Sequence, residues 1–152
     1  MSAGREAIEK ARLKGITDSK ILSEIGEAAA ESQRIINTLN NIGDFNSTSL
    51  KHILQGEINS TGKAVGFHYE GMPYSGGKVI PGTVEPANSF GVYRAKVEVE
   101  GIATTSHGGS STFFPKNMNP QQVMASINEA FETKVFVSGT TYRGVARQAF
   151  CK

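Results

Sequence analysis

The chain carries three imidazoles, His52, His68 and His107, and these are the side chains best suited to chemistry near neutral pH. An imidazole can accept a proton, give one up, or hold a metal through its lone pair. A single cysteine, Cys151, excludes an internal disulfide and any cysteine-built zinc site. His52 stands just before Gln55-Gly56. His68 lies in Gly66-Phe67-His68-Tyr69-Glu70-Gly71, beside glycines that let backbone approach a ligand closely. His107 lies among tiny residues in Ser106-His107-Gly108-Gly109. A lone histidine in a globular domain is most often a surface or hydrogen-bonded structural residue, and Lys96 reads first as part of a solvated strand face. On residue type alone three readings stay open. They are a metal-free acid–base enzyme, a metallohydrolase built on His52, His68 and Glu57 or Glu70, and a non-catalytic binding module.

The elements that must position these residues follow from patterning. A length of 152 residues fits one ordinary domain, or one domain with a helical extension. With 38% hydrophobic and 20% charged residues it is neither a disordered acidic tail nor a membrane protein. Apolar runs such as Val135-Phe136-Val137 are too short to span a bilayer, and the first residues lack the apolar stretch of a signal peptide. Residues 1–46 hold six basic and seven acidic side chains, and the remainder ten and seven, so the mild positive charge belongs to the C-terminal body and is compatible with an anionic partner.

Residues 2–42 read as two helices. The first stops at Gly15, and the second starts near Thr17, Asp18 or Ser19 as N-cap and repeats apolar residues from Ile21 to Leu39 at three- and four-residue steps. Gly26 weakens that helix locally. Asn46-Ser47-Thr48-Ser49 caps a short helix through Leu54. Lys78-Val79-Ile80 is a short strand. Val92–Val99 alternates, with Ala95, Val97 and Val99 on one face and Arg94, Lys96 and Glu98 on the other. Ser111-Thr112-Phe113-Phe114 is strand-like and stops at Pro115. Asn119-Pro120 starts a helix that places Val123, Met124, Ile127, Ala130 and Phe131 on one face. Lys134–Val137 and Tyr142–Phe150 read as the last strands. The class is α+β, with a helical N-terminal subdomain over 1–45 and a strand-rich body with one late helix over 46–152.

The wording around two of the histidines is distinctive. His52-Ile53-Leu54-Gln55-Gly56-Glu57 is followed by Gly66-Phe67-His68, sixteen residues after the first histidine. Ser111-Thr112-Phe113-Phe114-Pro115, Asn119-Pro120-Gln121-Gln122-Val123 and Ser138-Gly139-Thr140-Thr141-Tyr142 follow in order. Residues 46–145 thereby resemble the bacterial branch of the EndoU endoribonucleases, known as toxin domains at the C-termini of large exported proteins, including contact-dependent growth inhibition effectors. The resemblance implies a mostly antiparallel two-sheet nuclease body. It implies RNA cleavage without a metal or other cofactor, the ribose 2′-hydroxyl attacking the phosphodiester to leave a 2′,3′-cyclic phosphate. DNA, which lacks that hydroxyl, should be inert.

Such a reaction needs a base for the 2′-hydroxyl, an acid for the departing 5′-oxygen, and a cation for the pentacoordinate phosphate. Two imidazoles and a lysine suit these tasks. By resemblance His68 is the base, His52 the acid and Lys96 the cation, with Lys116 and Lys78 as the other candidates. Thr141 and Tyr142 line the nucleotide site. Gly66 and Phe67 offer backbone N–H groups to phosphate, and Ser110 or Ser111 contacts the substrate. Tyr142 could stack on a base or simply be a half-buried strand aromatic. The resemblance further implies tRNA as the RNA cut, export at the tip of a larger effector with delivery into a target bacterium's cytoplasm, and a cognate immunity protein that occludes the site. No stable membrane insertion is expected.

Overall fold

The four described α-helices in this computed structural model each begin where a short polar side chain fills orphaned backbone donors. It describes residues 2–43, 45–139 and 141–144. Helix α1 (Ala3–Leu13) leads to α2 (Ser19–Asn37), which starts at Asp18, whose carboxylate accepts from the N–H groups of Lys20 and Ile21. Helix α3 (Ser47–Leu54) starts at Asn46, which accepts from Ser49 N–H at 2.7 Å. Helix α4 (Pro120–Glu132) starts at Asn119, in a reciprocal capping box with Gln122. Gly26 is a contact point rather than a weakness of α2. A Cβ there would lie 2.6 Å from Ile8 Cδ1, so the missing side chain is what lets α1 seat against α2.

Between α3 and α4 the chain builds antiparallel pairs. Strands β1 (Glu57–Ile58) and β2 (Ala64–Val65) form a small ribbon. Strand β3 (Gly77–Val79) pairs with one edge of β4 (Tyr93–Val99). The other edge of β4 is shared by β5 (Ile102–Ala103), which pairs with its C-terminal end, and β6 (Ser110–Phe113), which pairs with its N-terminal half. Glu100 and Gly101, at φ +51° and +80°, make the two-residue turn from β4 to β5, the mirror-image turn type that matches strand twist. The alternation of β4 is realised as read: Tyr93, Ala95, Val97 and Val99 are buried, and Arg94 and Lys96 are exposed. Phe113 joins that inner face, with its ring stacked on Tyr93. Strands β7 (Val135–Ser138) and β8 (Thr141–Arg143) form a final hairpin. The expected last strand is seen as far as Arg143; from residue 145 onward, including Cys151, it lies outside the described residues. The described helices and strands make the chain α+β, and among the described residues no helix is long and apolar enough to cross a membrane.

One expected core position is corrected. Phe131 keeps the helical period but is 53% exposed, with Lys134 Nζ over its ring. The last turn of α4 runs past the packed cluster of the described residues.

The N-terminal helices share the core of the body. Leu50, Leu54, Tyr69, Met72, Met118, Val123 and Met124 form one buried cluster, and Ile35, Ile36, Leu39, Ile42 and Phe45 pack against it. Ser32 is fully buried and exchanges hydrogen bonds with the backbone of Tyr74. Gln121 pairs through its amide with both backbone groups of Asn40. The ion pairs of Lys10 and Lys14 with Glu100 are half-exposed on the lysine side, and such pairs are worth about 0–1 kcal/mol. Apolar packing therefore holds the helices. Five side chains losing even ~1 kcal/mol each would cost about 5 kcal/mol, as much as the low end of a typical stability of about 5–15 kcal/mol. A chain starting at residue 46 is thus expected to lose its cooperative thermal transition by circular dichroism. An unchanged melting temperature would show the helices to be a mere appendage.

Candidate active site

The last carbonyls of a helix have no amide within the helix to bond. In α3 the His52 and Ile53 carbonyls are filled by the next loop, accepting from Phe67 N–H at 2.7 Å and His68 N–H at 2.8 Å. Two adjacent hydrogen bonds therefore fix His68 relative to His52. The approach requires a missing side chain: a Cβ on Gly66 would lie 2.3 Å from the His52 carbonyl oxygen, and Gly66 adopts φ +79°. Phe67 follows at φ +72°, a left-handed conformation that costs a non-glycine residue about 1–2 kcal/mol. Its ring offsets that cost by complete burial, edge-on to Phe113 with centroids 5.2 Å apart.

His68 is held at every polar group but one. Its N–H bonds Ile53, its carbonyl accepts from Phe114 N–H at 2.8 Å, and its ring Nδ1 lies 2.9 Å from the Thr112 carbonyl and 3.0 Å from Ser111 Oγ. A carbonyl can only accept, so Nδ1 carries the proton. Ser111 agrees: its hydroxyl donates to the Phe67 carbonyl at 2.7 Å, which leaves a lone pair facing Nδ1. The neutral ring is thereby locked as the Nδ1–H tautomer, with the lone pair on Nε2. The His52 ring stands beside it, centroids 5.6 Å apart and planes tilted by 41°. Thr112, Val92, Phe113 and Phe114 complete a small hollow of about 140 Å³ at His68.

Burial pushes the His68 pKa below 6.5. The Thr112 carbonyl opposes this, and the neighbouring charges of His52 and His107 add to it. His107 is thus a third imidazole within electrostatic range, which residue type alone left as a loop residue. It sits at φ +52° in the tight turn Ser106–Gly109 that leads into β6. Its signal in the sequence is the run of small residues just ahead of the strand that anchors His68.

Other expected residues fall in different places. Phe67 N–H is taken by the His52 carbonyl, so it is not offered to a phosphate, and Gly66 serves close packing. Ser111 is 7% exposed, and its hydroxyl lies between the Phe67 carbonyl and His68 Nδ1. Lys96 is on the outward face of β4, across from Ser110 and on the same face as Thr112. Lys116 Nζ lies 5.4 Å from the centroid of the Tyr93 ring, and Lys78 is exposed on β3. None of the three lysines bonds either imidazole. Thr141 and Tyr142 have their backbone in β8, opposite Ser138 and Phe136, and their side chains lie outside the described residues. Glu70 accepts from the Tyr93 hydroxyl at 2.6 Å, and among the described residues no three of His, Cys, Asp and Glu gather closely enough to hold a metal.

Residues 46–149, more than half of the chain, match the family described as bacterial EndoU nuclease. The chain belongs to that family. It is also similar to a protein of Bacillus cereus called "Toxin", 40% identical over 130 residues, which are 86% of this chain and 24% of that protein. No solved structure matches. The EndoU match begins at the cap of α3 and so takes in both histidine segments.

Because the folded EndoU chain holds His68 neutral to lower pH than the unfolded chain does, it binds fewer protons just below pH 6.5. Stability should therefore fall as pH drops through that window and the folded-state midpoint. Nitrogen-detected NMR is expected to show His68 as the Nδ1–H tautomer, titrating below 6.5. A midpoint above 6.5, or a proton on Nε2, would contradict the geometry.

Proposed function

We propose that the chain is a metal-independent endoribonuclease toxin domain that cuts RNA by transesterification. His68 Nε2 takes the proton of a ribose 2′-hydroxyl, and the resulting oxygen attacks the adjacent phosphorus. His52, protonated, gives its proton to the departing 5′-oxygen. The products are a 2′,3′-cyclic phosphate and a 5′-hydroxyl. Lys96 supplies the charge that steadies the extra negative oxygen, its long stem rising from the face that also carries Thr112 at the edge of the His68 hollow. Lys116 is the alternative cation.

The observation that carries this reading is the pairing of two imidazoles, 5.6 Å between ring centroids, one of them pinned so that a bare Nε2 is what remains. Acid–base cleavage of a phosphodiester needs two proton-transfer groups on one substrate, and each is worth about 10²–10⁴ in rate. Family membership supports nuclease chemistry, and the name of the Bacillus cereus relative supports the toxin role. That this chain spans 24% of the relative's length is in keeping with a domain of a larger protein, and the relative's name is in keeping with its export and delivery into a target bacterium's cytoplasm. A nuclease with this action also requires a neutralising immunity protein in the producing cell. A partner with an acidic surface suits the net positive C-terminal body. We take tRNA as the physiological RNA.

The test is incubation of the purified chain with tRNA and with DNA in EDTA. Cleavage of the RNA alone is expected, with cyclic phosphate ends. His68→Ala and His52→Ala should each slow it by about 10²–10⁴ while keeping the native circular dichroism spectrum. With the His68 pKa held down, activity should persist to below pH 6.5 before the base is lost to protonation. Undiminished cleavage in both variants would remove the mechanism.

A further inference from the structure

A second cleft lies next to the His68 hollow, with a volume of about 780 Å³. It is walled by the loop 84–91, which enters β4, and by Pro115, Lys116 and Asn117, which leave β6. The walls of the hollow and the cleft are consecutive in the chain at Val92–Tyr93 and at Phe114–Pro115, whose Cα atoms are about 3.8 Å apart. An RNA strand with its phosphodiester at the histidines would therefore run into the cleft within a nucleotide of the scissile bond.

The cleft is built for such a strand. Phe90 is 62% exposed at its rim. The loop that presents it is tied by hydrogen bonds: Asn88 Oδ1 accepts from the N–H groups of Phe90 and Val92, Asn88 N–H donates to the Val92 carbonyl, and Gly91 N–H donates to the Asn88 carbonyl. Gly91, at φ +90°, lies against the Pro115 ring, where a Cβ would come within 3.0 Å. From the segment after β6, the Lys116 ammonium sits over the Tyr93 ring at 5.4 Å. The Tyr93 hydroxyl donates to Glu70, so that nearby carboxylate is engaged, and Glu85 is the acid among the residues lining the cleft. An exposed aromatic ring and a lysine lining one groove beside the histidine hollow match what single-stranded nucleic acid recognises: stacking for a base and a cation for a phosphate.

We propose that this cleft is a subsite for the single-stranded RNA nucleotide flanking the scissile phosphate, with Phe90 stacking its base and Lys116 holding its phosphate. The proposal rests on the ribonuclease reading for its substrate class, but its test does not need cleavage. The His68→Ala chain is mixed with an RNA hexamer carrying 2-aminopurine at each position in turn. At one position, adjacent to the cut, fluorescence is expected to quench on binding. Phe90→Ala in the same background should abolish that quenching and weaken binding about ten- to hundredfold. Lys116→Gln should weaken binding and lower the slope of log affinity against log salt by about 1. In the active chain the Phe90→Ala loss should appear in KM rather than kcat, and more for the hexamer than for a dinucleotide. Equal quenching and affinity in the Phe90 variant would overturn the subsite, whether or not the parent chain cuts RNA. Quenching lost with Phe90 in a chain that never cleaves RNA would keep the subsite and remove the ribonuclease reading. A protein partner protecting Phe90 from solvent while RNA leaves it unaffected would also overturn the proposal.

Discussion

Two backbone hydrogen bonds govern the rest of the site: the N–H groups of Phe67 and His68 closing on the last carbonyls of α3. They cap a helix end that would otherwise be left short of partners, and in the same stroke they bring one imidazole to another. Everything nearby is arranged so that these bonds can form. Gly66 gives up its side chain to allow the approach, and Phe67 accepts a strained backbone and is held there by its buried ring. The helix, in turn, is held by a cluster that α2 helps to fill. The histidine pair is thus a consequence of core packing that reaches back into the N-terminal helices.

The second constraint is electrostatic. His68 lies on the edge of β6, where the Thr112 carbonyl demands a proton on Nδ1 and burial disfavours a second proton on the ring. The neighbouring imidazoles act in the same direction, since two positive rings so close repel. A pair in which one member resists protonation is suited to the proposed division of labour, where one ring must arrive bare and the other charged. His107 belongs to this balance, although it lies on a separate turn.

Much of this was legible in the sequence, because the features concerned have side-chain signatures. Asp18, Asn46 and Asn119 announce helix starts by their type, and β4 announces its buried face by strict alternation. The order of motifs from His52 to Tyr142 pointed to the EndoU family, which the match over 46–149 shows. What stayed hidden has a physical reason in each case. The partner of His68 is the carbonyl of Thr112, and a carbonyl leaves no mark on residue type. Two-residue strands such as β1 and β2 are too short to alternate. Phe131 fits the helical period, yet it lies beyond the cluster formed by the described residues. Ser111 came as a substrate contact from the family resemblance, whereas its hydrogen bonds to the Phe67 carbonyl and to His68 Nδ1 leave no mark on residue type.

The central claim is that His68 removes a proton at the start of the reaction and His52 supplies one at the end. RNA whose scissile 5′-oxygen is replaced by sulfur tests this most directly, because a thiolate departs without needing a proton. Single-turnover cleavage of that RNA should restore most of the rate lost in the His52→Ala chain and leave the His68→Ala chain slow. Rescue of the His68 variant instead, or of neither, would contradict the account.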